Sequence, residues 1–273
     1  MEKTIIKNRI INHQSKSNQK MKYSTSKGGF YLITTLIVTI ISVTLIHQLQ
    51  LERSFYRYTV ALPGILALGF LFFPKLNNIG VSDFLSQFKI SRKTIKWLLL
   101  SLFLYTILSY IASAISALAF NGNFIGIPNF QIPLSKVWLI FILAFFEEIG
   151  WRGFALPQLL DKFNFIQSSL LIGIFWALWH VPGYLVDFGA PNDIPFVVFS
   201  LWVIASSFIF SWLYLKSYRN VWTAILLHFG ANIALQLYPI MPSPAGTSAT
   251  FYIKTLLVVT VAIVYAIKYK TII

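Results

Sequence analysis

Eight apolar runs, separated by short polar segments, are the feature that most limits what this chain can fold into. Most approach the length of about 20 residues that an α-helix needs to cross a bilayer. The second run is shorter than the others and contains Pro63-Gly64. The sequence therefore predicts an all-α, polytopic membrane protein with about eight transmembrane helices. The runs lie near residues 29–48, 59–74, 97–120, 137–156, 166–186, 196–215, 220–240 and 252–268.

Composition supports a membrane protein and excludes several kinds of chemistry. Hydrophobic residues make up 57% of the chain and charged residues only 11%, with a mean hydropathy of +0.71. A soluble domain contains about 25% charged residues. The absence of cysteine excludes a disulfide framework, a thiolate metal site and a cysteine nucleophile.

The basic residues are distributed in a way that predicts topology. Residues 1–28 hold seven of the 22 lysines and arginines, and we expect a disordered cytoplasmic tail close to anionic lipid. Residues 29–273 form one helical membrane domain. With the N-terminus inside, only four basic residues fall on the outer side, so the positive-inside rule places both termini in the cytoplasm of a bacterial plasma membrane. The net charge of +14 then reflects topology rather than nucleic-acid binding. The four outer residues are Arg53, Arg57, Lys136 and Lys254.

The fourth run contains Glu147-Glu148-Ile149-Gly150-Trp151-Arg152. An ionisable side chain at the bilayer centre costs roughly 2.5–3.5 kcal/mol on insertion scales, so this segment is a candidate functional site. Glu148 and Arg152 are four residues apart and can pair. Glu147 is rotated by about 100° from Glu148, which leaves it free to point into the bundle as a general base or acid. A purely structural ion network is the alternative.

Two further helices carry polar residues at helical spacing. Trp176 and His180 share one face of the fifth run, just before Pro182, and His228 and Asn232 share one face of the seventh. The alternative for His180 is a hydrogen-bonded packing residue. The alternative for the second pair is an ordinary helix–helix contact, because histidine, asparagine and the small residues between them are common in such contacts.

The depth of these residues favours a common site. At a rise of 1.5 Å per residue, Glu147, His180, His228 and Asn232 lie roughly 12–21 Å from the cytoplasmic ends of their runs. This is one layer near the midplane, biased towards the cytoplasm. Glu147 and His180 could activate water for attack on an amide, while His228 and Asn232 donate hydrogen bonds to the oxyanion.

The three motifs, in this order on three helices, resemble those of the CPBP family, the CAAX-processing and bacteriocin-processing (Abi) intramembrane proteases. The resemblance covers about residues 137–240. It implies that Glu147, His180, His228 and Asn232 are catalytic, with Glu148, Arg152 and Trp176 in support. The second motif commonly begins with phenylalanine, where this chain has Trp176.

The same resemblance implies membrane-embedded or lipidated peptide substrates. Some family members cleave after a prenylated cysteine. Bacterial members are implicated in peptide-precursor processing, bacteriocin self-immunity and quorum signalling, and a chain of this composition is expected to resemble the latter group.

Three questions stay open at the level of sequence. Glu147, His180 and His228 could hold a catalytic zinc ion, although a metal-free glutamate mechanism fits the His and Asn donors equally well. A non-catalytic immunity or regulatory protein that acts through a membrane partner would also keep a polar layer. A proton-coupled transporter uses buried Glu and His as well, but the chain shows no internal repeat.

Overall fold

The computed structural model describes residues 27–123, 128–187 and 193–269, and every regular element among them is helical. The predicted tail lies outside the described residues, except for Lys27 and Gly28, which begin the first helix. The α-helices are α1 (Lys27–Gln48), α2 (Tyr56–Val60), α3 (Leu62–Leu71), α4 (Val81–Ser86), α5 (Arg92–Phe120), α6 (Leu134–Glu148), α7 (Leu156–Leu160), α8 (Phe165–Trp179), α9 (Val181–Leu185), α10 (Phe196–Lys216), α11 (Val221–Leu237), α12 (Pro242–Ala245) and α13 (Ala249–Tyr269).

The helices confirm the predicted fold class of a polytopic, all-helical membrane protein. Within the described residues, five helical segments are long and apolar enough to cross a bilayer, and a sixth is added if α2 and α3, bent by 43°, count as one span. The predicted seventh run, α11, is a shorter apolar helix. The predicted fourth run is α6 and α7 joined by a π-helical segment, Ile149–Ala155. Each of the eight runs therefore coincides with helix.

Helix α3 packs tightly against α6 just after the break between α2 and α3. The Tyr31 hydroxyl on α1 donates to the carbonyl oxygen of Pro63 over 2.5 Å. A Cβ atom at Gly64 would collide with the carbonyl oxygen of Phe146 on α6. The Pro63-Gly64 pair, which shortens the second run, thus lets the backbone of α3 touch α6 one residue before Glu147.

The π-helical segment follows Glu148 directly and is buried throughout. A π-helix has a wider turn than an α-helix, and such segments are often found at functional sites. A Cβ atom at Gly150 would lie 2.5 Å from the Tyr31 hydroxyl and 2.6 Å from the carbonyl carbon of Pro63. Glycine at this position therefore allows the widened turn to pack against α1 and α3.

Helix α11 packs closely along α5, and Gly230 makes this possible. A Cβ atom at Gly230 would collide with the carbonyl oxygen of Leu102. The small residues between His228 and Asn232 thus serve a helix–helix contact, as the structural interpretation of this motif expected. This contact does not compete with a site, because His228 and Asn232 line the cavities described below.

One basic residue that the topology prediction counted on the outer side is buried inside the bundle. Lys254 is 0% exposed, and its ammonium group lies 5.3 Å and 5.9 Å from the ring centroids of Trp202 and Tyr105. The prediction for Lys254 was wrong, because aromatic faces can accept a cation inside the bundle. The excess of basic residues on the predicted cytoplasmic side does not depend on Lys254.

Candidate active site

A fully buried ion cluster around Glu148 forms the centre of the bundle. Both oxygens of the Glu148 carboxylate accept hydrogen bonds from Nη1 of Arg152, each over 3.0 Å. Oε1 of Glu148 also pairs with Nδ1 of His228 over 2.8 Å. Glu148 thus joins the π-helical segment to α11, and the Glu148–Arg152 pair expected from the spacing is present.

The Arg152 guanidinium is held between two aromatic rings. Its carbon lies 4.6 Å from the ring centroid of Trp176 and 4.5 Å from that of Phe210. Its Nε and Nη2 atoms have no hydrogen-bond partner among the described residues, so the ring faces take the place of acceptors. A guanidinium stacks on aromatic faces more readily than an ammonium does. Arg152 therefore fixes Trp176 as well as Glu148.

Glu147 is oriented separately from its neighbour. Its Oε2 atom accepts a hydrogen bond of 3.0 Å from the indole Nε1 of Trp176, and its Oε1 atom lies 4.0 Å from Nε2 of His228. The side chain has no bond to Arg152 and lines a cavity. The two carboxylates therefore point in different directions, as their angular offset predicts, and Glu147 is the one that a substrate can reach.

His180 has one ring nitrogen fixed and one free for a ligand. Its Nδ1 atom lies 2.7 Å from the carbonyl oxygen of Trp176. Since a carbonyl oxygen only accepts, Nδ1 carries a hydrogen, and in the neutral ring Nε2 is left as an acceptor. His180 thus presents a lone pair to the cavities that it lines.

One additional proton would balance the charges of the cluster. Glu147 and Glu148 carry two negative charges when ionised, and Arg152 carries one positive charge. Because a net charge buried away from water is costly, one further proton, shared between Glu147 and His228, brings the cluster to neutrality. A group that can accept and return a proton therefore faces the cavity.

Two cavities meet this cluster and share His180, His228 and Asn232 as lining residues. The first, which we call the aromatic chamber, has a volume of about 380 Å³. The second, which we call the Glu147 chamber, has a volume of about 300 Å³ and contains Glu147. The aromatic chamber is named for its lining residues Tyr105, Trp176, Phe199, Trp202 and Phe210.

The structure brings all seven residues expected from the sequence into one region. Six of them are linked by the ion cluster, the Trp176 indole and the His180 ring. Asn232 lies one turn beyond His228 on α11 and lines both chambers, and its side chain makes no hydrogen bond to another described residue. Its side-chain amide is therefore available to a ligand.

Sequence reasoning missed two residues that hold the site in place. Phe210 supports Arg152, but it lies in a uniformly apolar run that gives no signal. Tyr105 lines the aromatic chamber, and its hydroxyl donates to Ser206 over 2.5 Å. The recurrence of Ser101, Tyr105 and Ser109 every four residues marks a polar stripe on α5 that could have been recognised.

Both chambers extend to the same end of the bundle. Their linings include Arg57, which follows α1, Asp193, which precedes α10, and Ser243, which follows α11. In the predicted orientation these segments lie on the outer side, whereas the depth estimate from the sequence expected a bias towards the cytoplasm. The orientation stays a prediction.

The geometry does not fit the three-ligand zinc site. Hydrogen bonds occupy Nδ1 of His180 and Nδ1 of His228, so only the Nε2 atom of each ring could bind a metal ion. Within the parts of the chain that the structure describes, no three His, Asp or Glu side chains are grouped closely enough to hold a metal ion. We therefore derive no step through a metal.

A helical membrane bundle with a buried carboxylate and histidines at the walls of two cavities is the arrangement expected of an intramembrane hydrolase. Comparison with known proteins agrees with this class. Residues 129–234 match the model of the "Type II CAAX prenyl endopeptidase Rce1-like" family. The chain is also 29% identical over 235 residues to CAAX prenyl protease 2 of Methanococcus maripaludis, a match that covers 77% of this chain and 84% of that protein.

The chain thus shows homology to the Rce1-like type II CAAX prenyl endopeptidases. The matched residues 129–234 contain Glu147, Glu148, Arg152, Trp176, His180, His228 and Asn232. The predicted enzyme class is confirmed.

We predict that Arg152 and Glu147 differ in what they contribute to stability. Arg152→Met removes one partner of a buried ion pair, which costs about 3–5 kcal/mol. In Glu147→Gln, the amide oxygen can still accept the Trp176 hydrogen bond, so the free energy of unfolding should change by less than about 1 kcal/mol. Thermal unfolding of both variants in detergent measures the difference. Equal destabilisation would show that both carboxylates belong to one structural network.

Proposed function

We propose that this protein cleaves lipidated or membrane-associated peptides by glutamate-activated water. The observation that carries the proposal is that Glu147, held by the Trp176 indole and facing His228, lines a chamber whose walls also include His180 and Asn232. A base and three polar side chains thus converge on one cavity, which is the arrangement that amide hydrolysis requires.

In the proposed reaction, a water molecule lies between the Glu147 carboxylate and the free Nε2 of His180. Glu147 takes a proton from this water as its oxygen attacks the carbonyl carbon of the peptide bond. The oxyanion accepts hydrogen bonds from the Asn232 amide and from Nε2–H of protonated His228. Glu147 then gives its proton to the leaving nitrogen, and the C–N bond breaks.

The two chambers suggest how the substrate is placed. The aromatic chamber suits an apolar group such as a prenyl chain, because its wall is formed largely by aromatic rings. The peptide that leaves after cleavage would occupy the Glu147 chamber. The scissile bond would then lie at the wall shared by His180, His228 and Asn232.

We predict that the site variants lose activity without losing fold. Glu147→Gln should lower kcat by about 10²–10⁴, because proton transfer to a positioned base contributes that much. Asn232→Ala should lower kcat by about 10²–10³, as expected for one oxyanion donor. Cleavage of a prenylated peptide by purified protein measures both effects. Asp83→Asn, an exposed acid on α4, is the control and should behave as wild type.

Retained cleavage in both Glu147→Gln and His180→Ala would contradict the proposed reaction, because cleavage would then need neither residue. Failure of the wild type to cleave any peptide would favour an immunity or regulatory protein that acts through a membrane partner. That alternative predicts that the biological phenotype survives the loss of Glu147 as long as the protein reaches the membrane.

We further propose that both termini are cytoplasmic, in a bacterial plasma membrane, so that the chambers open outwards. Charge bias supports this orientation, because the basic segment between α3 and α5 lies on the side opposite to Arg57 and Ser243. A site that opens outwards suits exported peptides, as in precursor processing or self-immunity to a bacteriocin.

The orientation can be tested directly because the chain has no cysteine. We predict that Ser243→Cys, at an exposed position beside the aromatic chamber, reacts with a membrane-impermeant maleimide in intact cells. Ser82→Cys on α4 is exposed on the opposite side and should react only after permeabilisation. The reverse pattern would place the chambers on the cytoplasmic side.

A further inference from the structure

The Glu147 chamber contains two charged residues of opposite sign besides its histidines. Glu147 is 5% exposed and lies at the buried end, whereas Arg57 on α2 is exposed and lies at the mouth. The hydroxyl groups of the lining are already engaged. Thr59 donates to the carbonyl oxygen of Tyr56 over 2.7 Å, and Thr39 accepts from the indole of Trp179 over 2.9 Å.

Arg57 is free to bind a ligand, whereas the nearby Arg53 is already bonded to Asp187. Within residues 27–123, 128–187 and 193–269, the Arg57 guanidinium makes no hydrogen bond or ion pair. Arg53, one turn earlier, binds the backbone carbonyl oxygen and the carboxylate of Asp187, with Nη2 and Oδ2 3.4 Å apart. Arg53 does not line either chamber.

The length of the chamber indicates what it can hold. Its wall follows α6 from Leu139 through Leu143 to Glu147, which is about 12 Å at a rise of 1.5 Å per residue. Three residues of extended peptide span about 10 Å. A short apolar peptide therefore fits between the catalytic end and the mouth, with its last residue close to Arg57.

We propose that Arg57 binds the free C-terminal carboxylate of the substrate and thereby selects peptides cleaved close to their C-terminus. The proposal rests on the proposed function and adds a residue that determines specificity. A guanidinium matches a carboxylate with two parallel N–H···O hydrogen bonds. Among the described residues, the lining of the aromatic chamber contains no lysine or arginine, so Arg57 is the cationic partner that the described lining offers to a carboxylate.

The test compares two short lipidated peptides that differ only at the C-terminus, one a free acid and the other a carboxamide. Equilibrium binding and cleavage are measured for wild type, Arg57→Gln and the matched control Arg53→Gln. A hydrogen-bonded charge pair is worth about 1.5–3 kcal/mol, so wild type should bind the acid about 10- to 100-fold more tightly than the amide. Arg57→Gln should lose this preference through a higher Kd and KM for the acid, with kcat unchanged. Arg53→Gln should keep the preference.

The outcomes separate this inference from the proposed function. Equal affinity of wild type for acid and amide, or an undiminished preference in Arg57→Gln, overturns the role of Arg57 whether or not cleavage occurs. A preference for the acid that depends on Arg57, with neither peptide cleaved, supports the binding site and contradicts the proposed reaction.

Discussion

The buried cluster of Glu148, Arg152 and His228 is the interaction on which the rest of the site depends. Arg152 pairs with Glu148 and stacks on Trp176. Trp176 in turn donates to Glu147, and Glu148 holds His228. Glu147, which faces the chamber, is thus oriented through a chain of contacts that starts at its neighbour Glu148. Such support is needed because a general base must lie within hydrogen-bond reach of the proton that it removes.

Much of this arrangement follows from sequence. The apolar runs fix the helices, and spacing alone separates the Glu148–Arg152 pair from Glu147. Other features depend on contacts between helices that no local pattern encodes. Nothing in the run around Phe210 marks it as the support of Arg152, and the bond from His228 to Glu148 joins residues 80 positions apart. Lys254 was counted on the outer side because the sequence does not reveal the aromatic rings that contact it.

The two chambers relate this scaffold to its chemistry. Their linings differ in kind, with aromatic rings in one and a carboxylate and an arginine in the other, and they share His180, His228 and Asn232. This difference matches a substrate that has a lipid on one side of the scissile bond and a short peptide on the other. Homology to the CAAX prenyl endopeptidases agrees with such a substrate, although the proposed side of access favours peptides that reach the membrane from outside.

In the proposed reaction, Glu147 activates water and does not itself attack the peptide bond. A single turnover in ¹⁸O-labelled water, with enzyme in excess over a prenylated peptide, distinguishes these two mechanisms. Direct attack by water predicts one ¹⁸O atom in the new carboxylate of every product molecule, detected by mass spectrometry. If Glu147 formed a covalent acyl intermediate, hydrolysis at the glutamate carbonyl would leave the first product unlabelled. Unlabelled product would therefore contradict the activation of water by Glu147.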